Sequence, residues 1–271
     1  MNFCISNIAW LQEEDEPVYS LMKKYGFQGL EIAPNRISER IFEETSETIE
    51  KFRQSVQKHG FALVAMQSLL YRRQDLFLFG DDLSRKNLLL QLEKCMVLAE
   101  QLGIKALVFG SPKNRCKNGL TQETAEKIAI DFFCEAGQKA LQHNTLLCIE
   151  PNPKEYGTDF INTTPEGLEF VKKVNHPGFR LHIDTGTILI NQEAWEAILP
   201  EALGWIGHFH VSSPFLALPD AQEFHKSMAL LLKKQEYQGW ISIEMKQGIM
   251  EKNEKAVSQA LEKVRDWYGN I

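Results

Sequence analysis

Asn7-Ile8-Ala9-Trp10-Leu11 is the exit from the first β-rich run of the chain, Phe3–Ile8, and it contains no glycine. An open, doubly wound α/β sheet often carries a glycine-rich phosphate loop at this point. Its absence turns attention to the other architecture that alternates strands and helices. Outward from this segment the alternation repeats along the whole chain. The β-rich runs are Phe3–Ile8, Gly29–Ile32, Ala62–Met66, Ala106–Phe109, Leu146–Ile149, Arg180–Ile183, Ile206–Val211 and Trp240–Ile243. They begin roughly 26 to 44 residues apart, the length of a strand, a helix and two loops. Eight consecutive units of this kind predict an α/β fold, a (β/α)8 TIM barrel with helices outside a closed parallel sheet.

Helix ends are marked as well. Lys24-Tyr25-Gly26, Lys58-His59-Gly60, Gln101-Leu102-Gly103 and Asn175-His176-Pro177-Gly178 read as stops. Thr45-Ser46-Glu47 and Thr163-Thr164-Pro165-Glu166 place a hydroxyl cap before a helix, the second with proline in the first turn. Leu88–Leu102 and Ala125–Leu141 carry apolar residues at helical spacing. With no linker and no tandem repeat, residues 1–271 read as one domain.

Composition narrows the class. The chain has 271 residues and a formal net charge of −6, with 44% hydrophobic and 24% charged residues. This is the balance of an ordinary soluble globule, and it disfavours a strongly basic nucleic-acid surface. No apolar run approaches the roughly 18 residues needed to cross a bilayer. The first ten residues show no basic region followed by an apolar stretch, so no signal peptide is expected. The five cysteines, Cys4, Cys95, Cys116, Cys134 and Cys148, form no CxxC pair and read as reduced thiols. The expectation is a cytoplasmic protein that binds neither membrane nor nucleic acid.

In such a barrel the active site lies at the carboxyl ends of the strands. Four of those ends are alike: Ile149-Glu150-Pro151, Ile183-Asp184-Thr185-Gly186, Phe209-His210-Val211 and Ile243-Glu244-Met245. Side chains alternate along a strand. Ile149, Ile183, Phe209 and Ile243 therefore face the helices, while Glu150, Asp184, His210 and Glu244 face the rim. One layer below, Cys148, His182, His208 and Ser242 also point inward. Three carboxylates and an imidazole cannot converge unpaired, because burying each charge costs several kcal/mol. Protonation relieves that, or a cation does. Oxygen-rich ligation with one nitrogen suits Mn²⁺ first, with Mg²⁺, Co²⁺ or Zn²⁺ as further candidates. A single Glu or Asp at a strand end is more often a helix cap or ion-pair partner; four such residues in register on consecutive strands point to the ion. His182 and His208 read as hydrogen-bond donors that orient the carboxylates.

These four strand ends resemble the sugar-phosphate isomerase/epimerase group of xylose-isomerase-like barrels, which includes ketose 3-epimerases, hydroxypyruvate isomerase and inosose dehydratase. The likeness rests on Ile149-Glu150-Pro151, His182-Ile183-Asp184-Thr185-Gly186, His208-Phe209-His210 and Ile243-Glu244, and it covers most of the chain. It implies one divalent metal on Glu150, Asp184, His210 and Glu244, with Glu150 and Glu244 as the acid/base pair on opposite faces of a small sugar or sugar phosphate. Proton transfer through an enediolate would then give epimerisation or aldose–ketose isomerisation. Loss of a β-hydroxyl would instead give a dehydratase of a keto-inositol or related polyol. Two positions depart from the ketose 3-epimerase pattern: Thr187 stands where a histidine is usual, and Leu216 where an arginine is usual. The related abasic-site endonucleases need further histidines, and this chain has Met66-Gln67-Ser68, Ser111-Pro112-Lys113 and Thr187 at those places. A non-catalytic sugar-binding barrel would be expected to have a degraded rim. Relatives are often oligomers, so a homo-oligomer is a candidate state.

Other rim segments would set substrate size and charge. Arg36, Lys113, Arg115 and Lys246 could meet a phosphate or carboxylate, or be solvated, or pair with Glu31 and nearby acids. Trp10, Met66, Leu70 and Tyr71 could wall the pocket or simply pack under loops. His225 could cap the site or lie on a helix surface.

Overall fold

The computed structural model describes residues 1–269. Eight parallel strands close on themselves: β1 (Asn2–Ser6), β2 (Gly29–Ile32), β3 (Ala62–Met66), β4 (Ala106–Phe109), β5 (Leu146–Ile149), β6 (Phe179–Asp184), β7 (Ile206–Val211) and β8 (Trp240–Ile243). Closure is made by β8 pairing with β1, Asn2 opposite Trp240 and Phe3 opposite Ile241. The expected barrel is therefore the observed one. Two strands differ from expectation at both ends, β1 and β6 each starting one residue earlier, at Asn2 and Phe179. β1 stops at Ser6 because Asn7–Ala9 turns into a short 3-10 segment, and β6 runs on through Asp184.

Helices α1 (Asp15–Tyr25), α2 (Ser46–Lys58), α3 (Asp82–Leu102), α4 (Gln122–Gln142), α5 (Thr164–Val174), α6 (Thr185–Asn191), α7 (Trp195–Ala202), α8 (Gln222–Lys234) and α9 (Asn253–Gly269) surround it. Their ends follow the marked residues. The Thr45 and Thr163 hydroxyls accept the amides of Thr48 and Glu166. Gly103, with φ of 75°, turns the chain out of α3 in a left-handed conformation that costs glycine little. After α5 it is Asn175, not the later Gly178, that takes the left-handed stop.

The strands divide the interior by parity. Ile149, Ile183, Phe209 and Ile243 are buried in the shell between sheet and helices. Inside the barrel a small apolar floor is formed by Cys4, Val64, Ala65, Ala106 and Cys148. It closes tightly: a Cβ added at Gly29 would lie 2.6 Å from atoms of Cys4, Val64 and Trp240. Above the floor the barrel changes character. Ser6, Glu31, His182, His208 and Ser242 are all buried there. A barrel interior is ordinarily filled by branched apolar side chains. A polar layer in that position costs desolvation and needs compensating contacts.

Candidate metal centre

Each rim group is placed by the end of a strand. Glu150 follows β5, Asp184 is the last residue of β6, His210 lies on β7 opposite Asp184, and Glu244 follows β8. Asp184, His210 and Glu244 are buried, and the Glu150 side chain is 13% exposed. Asp184 also caps α6. Its Oδ1 accepts the Thr187 amide at 2.7 Å and its Oδ2 accepts the Ser212 hydroxyl at 2.6 Å. The cap role and the rim role thus coexist in one carboxylate.

One ligand-capable atom from each of Glu150, His182, Asp184 and His210 falls within 4.8 Å of all the others. The gathered set differs from the expected one by a single member. His182 stands in it, and Glu244 sits to one side, its Oε2 3.2 Å from His210 Nδ1. His182 does not orient a carboxylate. Neither of its ring nitrogens has a hydrogen-bond partner, and the nearest carboxylate oxygen, Glu150 Oε1, is 4.0 Å away. Its ring meets that of His210 edge-on at 4.1 Å between centroids.

Beneath this set lies Glu31, on β2 and fully buried. It accepts from His208 Nε2 at 3.1 Å, from His210 Nε2 at 2.9 Å and from the Ser242 hydroxyl. His208 therefore binds a carboxylate, but this one rather than a rim carboxylate. Burial opposes the Glu31 charge, yet His210 and His208 outweigh burial and hold its carboxyl well below the usual range. Burial likewise opposes protonation of His210, and Glu31 and Glu244 reverse it, raising that imidazole well above its ordinary value. His182 is pushed the other way, by burial and then by His210 and His208. Glu150 is pushed up to about 8 by burial, then by Glu244 and Asp184. Asp184 is raised by burial and by Glu244. Crowded by Glu244 and Asp184 and cut off from water, the Glu150 carboxyl keeps its proton near neutral pH unless positive charge is added.

The donor set fits a divalent cation. One oxygen each of Glu150 and Asp184 and one ring nitrogen each of His182 and His210 share a common space, and neither nitrogen of His182 has a hydrogen-bond partner. Glu31 holds the opposite nitrogen of His210, the arrangement that orients a ligating imidazole.

Several expected contacts are placed elsewhere. Arg36 bonds the Asn7 carbonyl at 2.9 Å and Asp15 at 3.3 Å. Trp10 is fully buried and donates its indole N–H to the same Asp15 at 2.7 Å. Both residues tie down the exit of β1. Arg115 is fully buried. Its Nη2 donates to the Glu150 carbonyl at 2.6 Å, and burial brings its guanidinium down to about 10. It anchors the chain that carries Glu150 and reaches no outside anion. Met66 is fully buried. Lys113 and Lys246 are exposed. Lys113, Leu70 and Tyr71 line the mouth cavity, of about 360 Å³, together with Glu150 and Glu244. A roomier groove of about 530 Å³ runs outside the barrel along α2 and α3 and shares none of these residues. His225 neither caps the site nor lies on the surface. It is buried under α9, stacked on Trp267 at 4.8 Å and bonded to the Tyr268 hydroxyl at 2.9 Å.

A model of the family described as "Xylose isomerase-like TIM barrel" matches residues 19–267. The chain belongs to that family. Several solved structures resemble it over nearly its whole length. D-psicose 3-epimerase from Clostridium cellulolyticum H10, solved with D-tagatose, is 18% identical with a TM-score of 0.80, each chain covered to 99%. The 3-keto-D-glucoside 4-epimerase of E. coli is 18% identical with a TM-score of 0.80, over 98% of this chain and 99% of that one. The IOLI protein with a binding zinc atom is 18% identical with a TM-score of 0.76, over 100% of this chain and 99% of that one. At these identities the likeness is one of fold. Comparison with curated proteins finds no match.

Proposed function

We propose that this xylose isomerase-like barrel is a divalent-metal-dependent isomerase or epimerase of a small polyhydroxy carbonyl compound. The observation that carries the reading is the convergence of buried, mutually repelling carboxyl groups and unpartnered imidazole nitrogens at one point of the rim. Glu150, Asp184, His210 and Glu244 would hold the ion, with His182 within reach. A divalent ion there would supply the positive charge that stabilises the anion formed when a carbon beside a carbonyl loses its proton. Glu150 and Glu244, on separate strand exits, act as the proton-transfer pair: one removes a proton and the other returns it. Glu31 keeps Nε2 of His210 engaged and its Nδ1 directed at the Glu244 side. Arg115 fixes the Glu150 main chain. The zinc in the IOLI protein and the epimerases among the structural neighbours support this reading.

The test uses protein loaded with Mn²⁺ and a panel of ketoses in D₂O. The wild type incorporates solvent deuterium beside the carbonyl. Glu150→Gln and Glu244→Gln each fold and each lose exchange by about 10²- to 10⁴-fold. Normal exchange in either variant sinks the paired-base assignment. A product lighter by one water makes the enzyme a dehydratase instead.

A further inference from the structure

At the exit of β4 the chain stays in register with β5. Phe109 lies opposite Ile149, and the Glu150 amide donates to the Phe109 carbonyl at 3.1 Å, so Gly110 stands beside Glu150. Both residues line the mouth cavity. Backbone conformation does not demand glycine here. The φ of Gly110 lies outside the left-handed region, unlike those of Gly26, Gly103 and Gly157. At such a position alanine ordinarily fits, and it stabilises slightly by restricting the unfolded chain.

Space supplies the reason instead. A Cβ on Gly110 would overlap Glu150 Oε2 and lie 3.3 Å from its Cδ, while the next atom, Asn152 Oδ1, is 3.8 Å away. The volume that a methyl group needs is therefore taken by one carboxyl group. Other tight glycines differ. Around Gly29 the intruding atoms belong to the packed floor, and at Gly178 to the main chain of Gly137. The second oxygen of the same carboxyl group, Glu150 Oε1, is 4.0 Å from His182 Nε2. One oxygen rests on Gly110 while its twin lies toward His182.

We propose that Gly110 is a positioning residue: its missing side chain is the slot that sets the Glu150 carboxylate among His182, Asp184 and His210. The proposal rests on the function given above, in which Glu150 is a metal ligand and a proton-transfer group. A methyl group on Gly110 meets the far end of a flexible side chain and no backbone atom. The barrel therefore closes as before, and the carboxylate gives way by about 1 Å to restore van der Waals separation. A misplacement of that size at a reacting group costs about 10²-fold in rate.

The experiment is a double-mutant cycle between Gly110→Ala and Glu150→Ala, read by melting curves, calorimetric Mn²⁺ titration and deuterium exchange in the ketose panel. Gly110→Ala is expected to melt within roughly 3 °C of the wild type. Its Mn²⁺ affinity falls about 10-fold where Glu150 is present and by less than about 2-fold in the Glu150→Ala background. Exchange falls about 10²-fold, through kcat rather than KM. Crystals of metal-free Gly110→Ala show the carboxylate displaced over an unchanged β4 exit. Wild-type affinity in Gly110→Ala, an equal fall in both backgrounds, or an unmoved carboxylate overturns the proposal. Early melting or failure to fold both with and without Glu150 also overturns it, because the glycine would then serve the main chain. If affinity and crystals behave as expected while the wild type exchanges no deuterium, the slot stands and the isomerase reading falls. A wild type that takes up no Mn²⁺ removes the metal reading alone, and the position of the carboxylate in the crystals then decides the slot.

Discussion

Glu31 governs the centre although it does not stand at the rim. Its carboxylate bridges two imidazoles and a serine hydroxyl with no access to water, so it fixes which nitrogen of His210 is turned toward Glu244. Glu31→Gln keeps the shape and removes the charge. The expected outcome is a folded protein whose Mn²⁺ affinity falls about 10- to 100-fold, measured by calorimetric titration. An unchanged affinity would mean that the pair only fills space. The rim residues were readable because each ends a hydrophobic strand at the same parity. Glu31 obeys the same parity between outward Leu30 and Ile32. From sequence alone Glu31 offers itself only as one ion-pair partner for loop cations, because nothing there shows that His208, His210 and Ser242 of β7 and β8 reach it inside the barrel. The roles of Trp10, Arg36 and Arg115 were illegible for a related reason. A charge near a strand end looks alike whether it turns to solvent or inward, and Asp15 and the Glu150 carbonyl became their partners only through the folded path of the loops.

Among the elements, α8 and α9 carry the strongest acid sensitivity outside the rim. His225 on α8 is buried against Trp267 and Tyr268 of α9, and its Nε2 has no partner. Burial brings it down to about 4, with Lys263 pushing the same way and Asp220 opposing. Its ordinary value is about 6.5. The folded state therefore holds fewer protons than the unfolded chain between these values. Stability is full above about pH 6.5 and declines as pH falls toward 4, by about 3 kcal/mol for this residue. Denaturant titrations at pH 7 and pH 4.5 should show that loss. His225→Phe, which keeps a planar ring on Trp267, should reduce the difference between the two pH values. Elements themselves were the most legible level. Six of the eight strands have the limits expected from their β-rich runs. The other two depart where a local turn, Asn7–Ala9, and a capping carboxylate, Asp184, compete with strand pairing.

For the whole molecule, the polar layer inside a closed barrel sets the balance. Folding brings Glu150, Asp184 and Glu244 together at a cost that shows in the raised Glu150 and Asp184 carboxyls. A ligand that binds only the folded state returns stability by mass action. Mn²⁺ at about 100 times its Kd should add about 2.7 kcal/mol, raising the melting temperature by roughly 5 °C in calorimetry. EDTA should reverse the gain, and Asp184→Asn should diminish it. No change on adding the ion would leave the centre without a cation. Barrel closure was foreseeable from eight repeated units and a glycine-free first exit, since both are properties of chain length and local composition. The identity of what enters the mouth was not, because it depends on loops whose course only the folded chain displays.

The carboxyl groups and the histidines gathered at the rim all come from β5 to β8, while β1 to β4 lend one submerged glutamate and otherwise wall. The proposed proton-transfer groups thus sit in one half of the cylinder and most of the mouth wall, Leu216 apart, in the other. Diversification of the first four exits, with Gly110 kept, would reshape the mouth while the proposed proton-transfer pair stays untouched, which makes this half the natural ground for redesign.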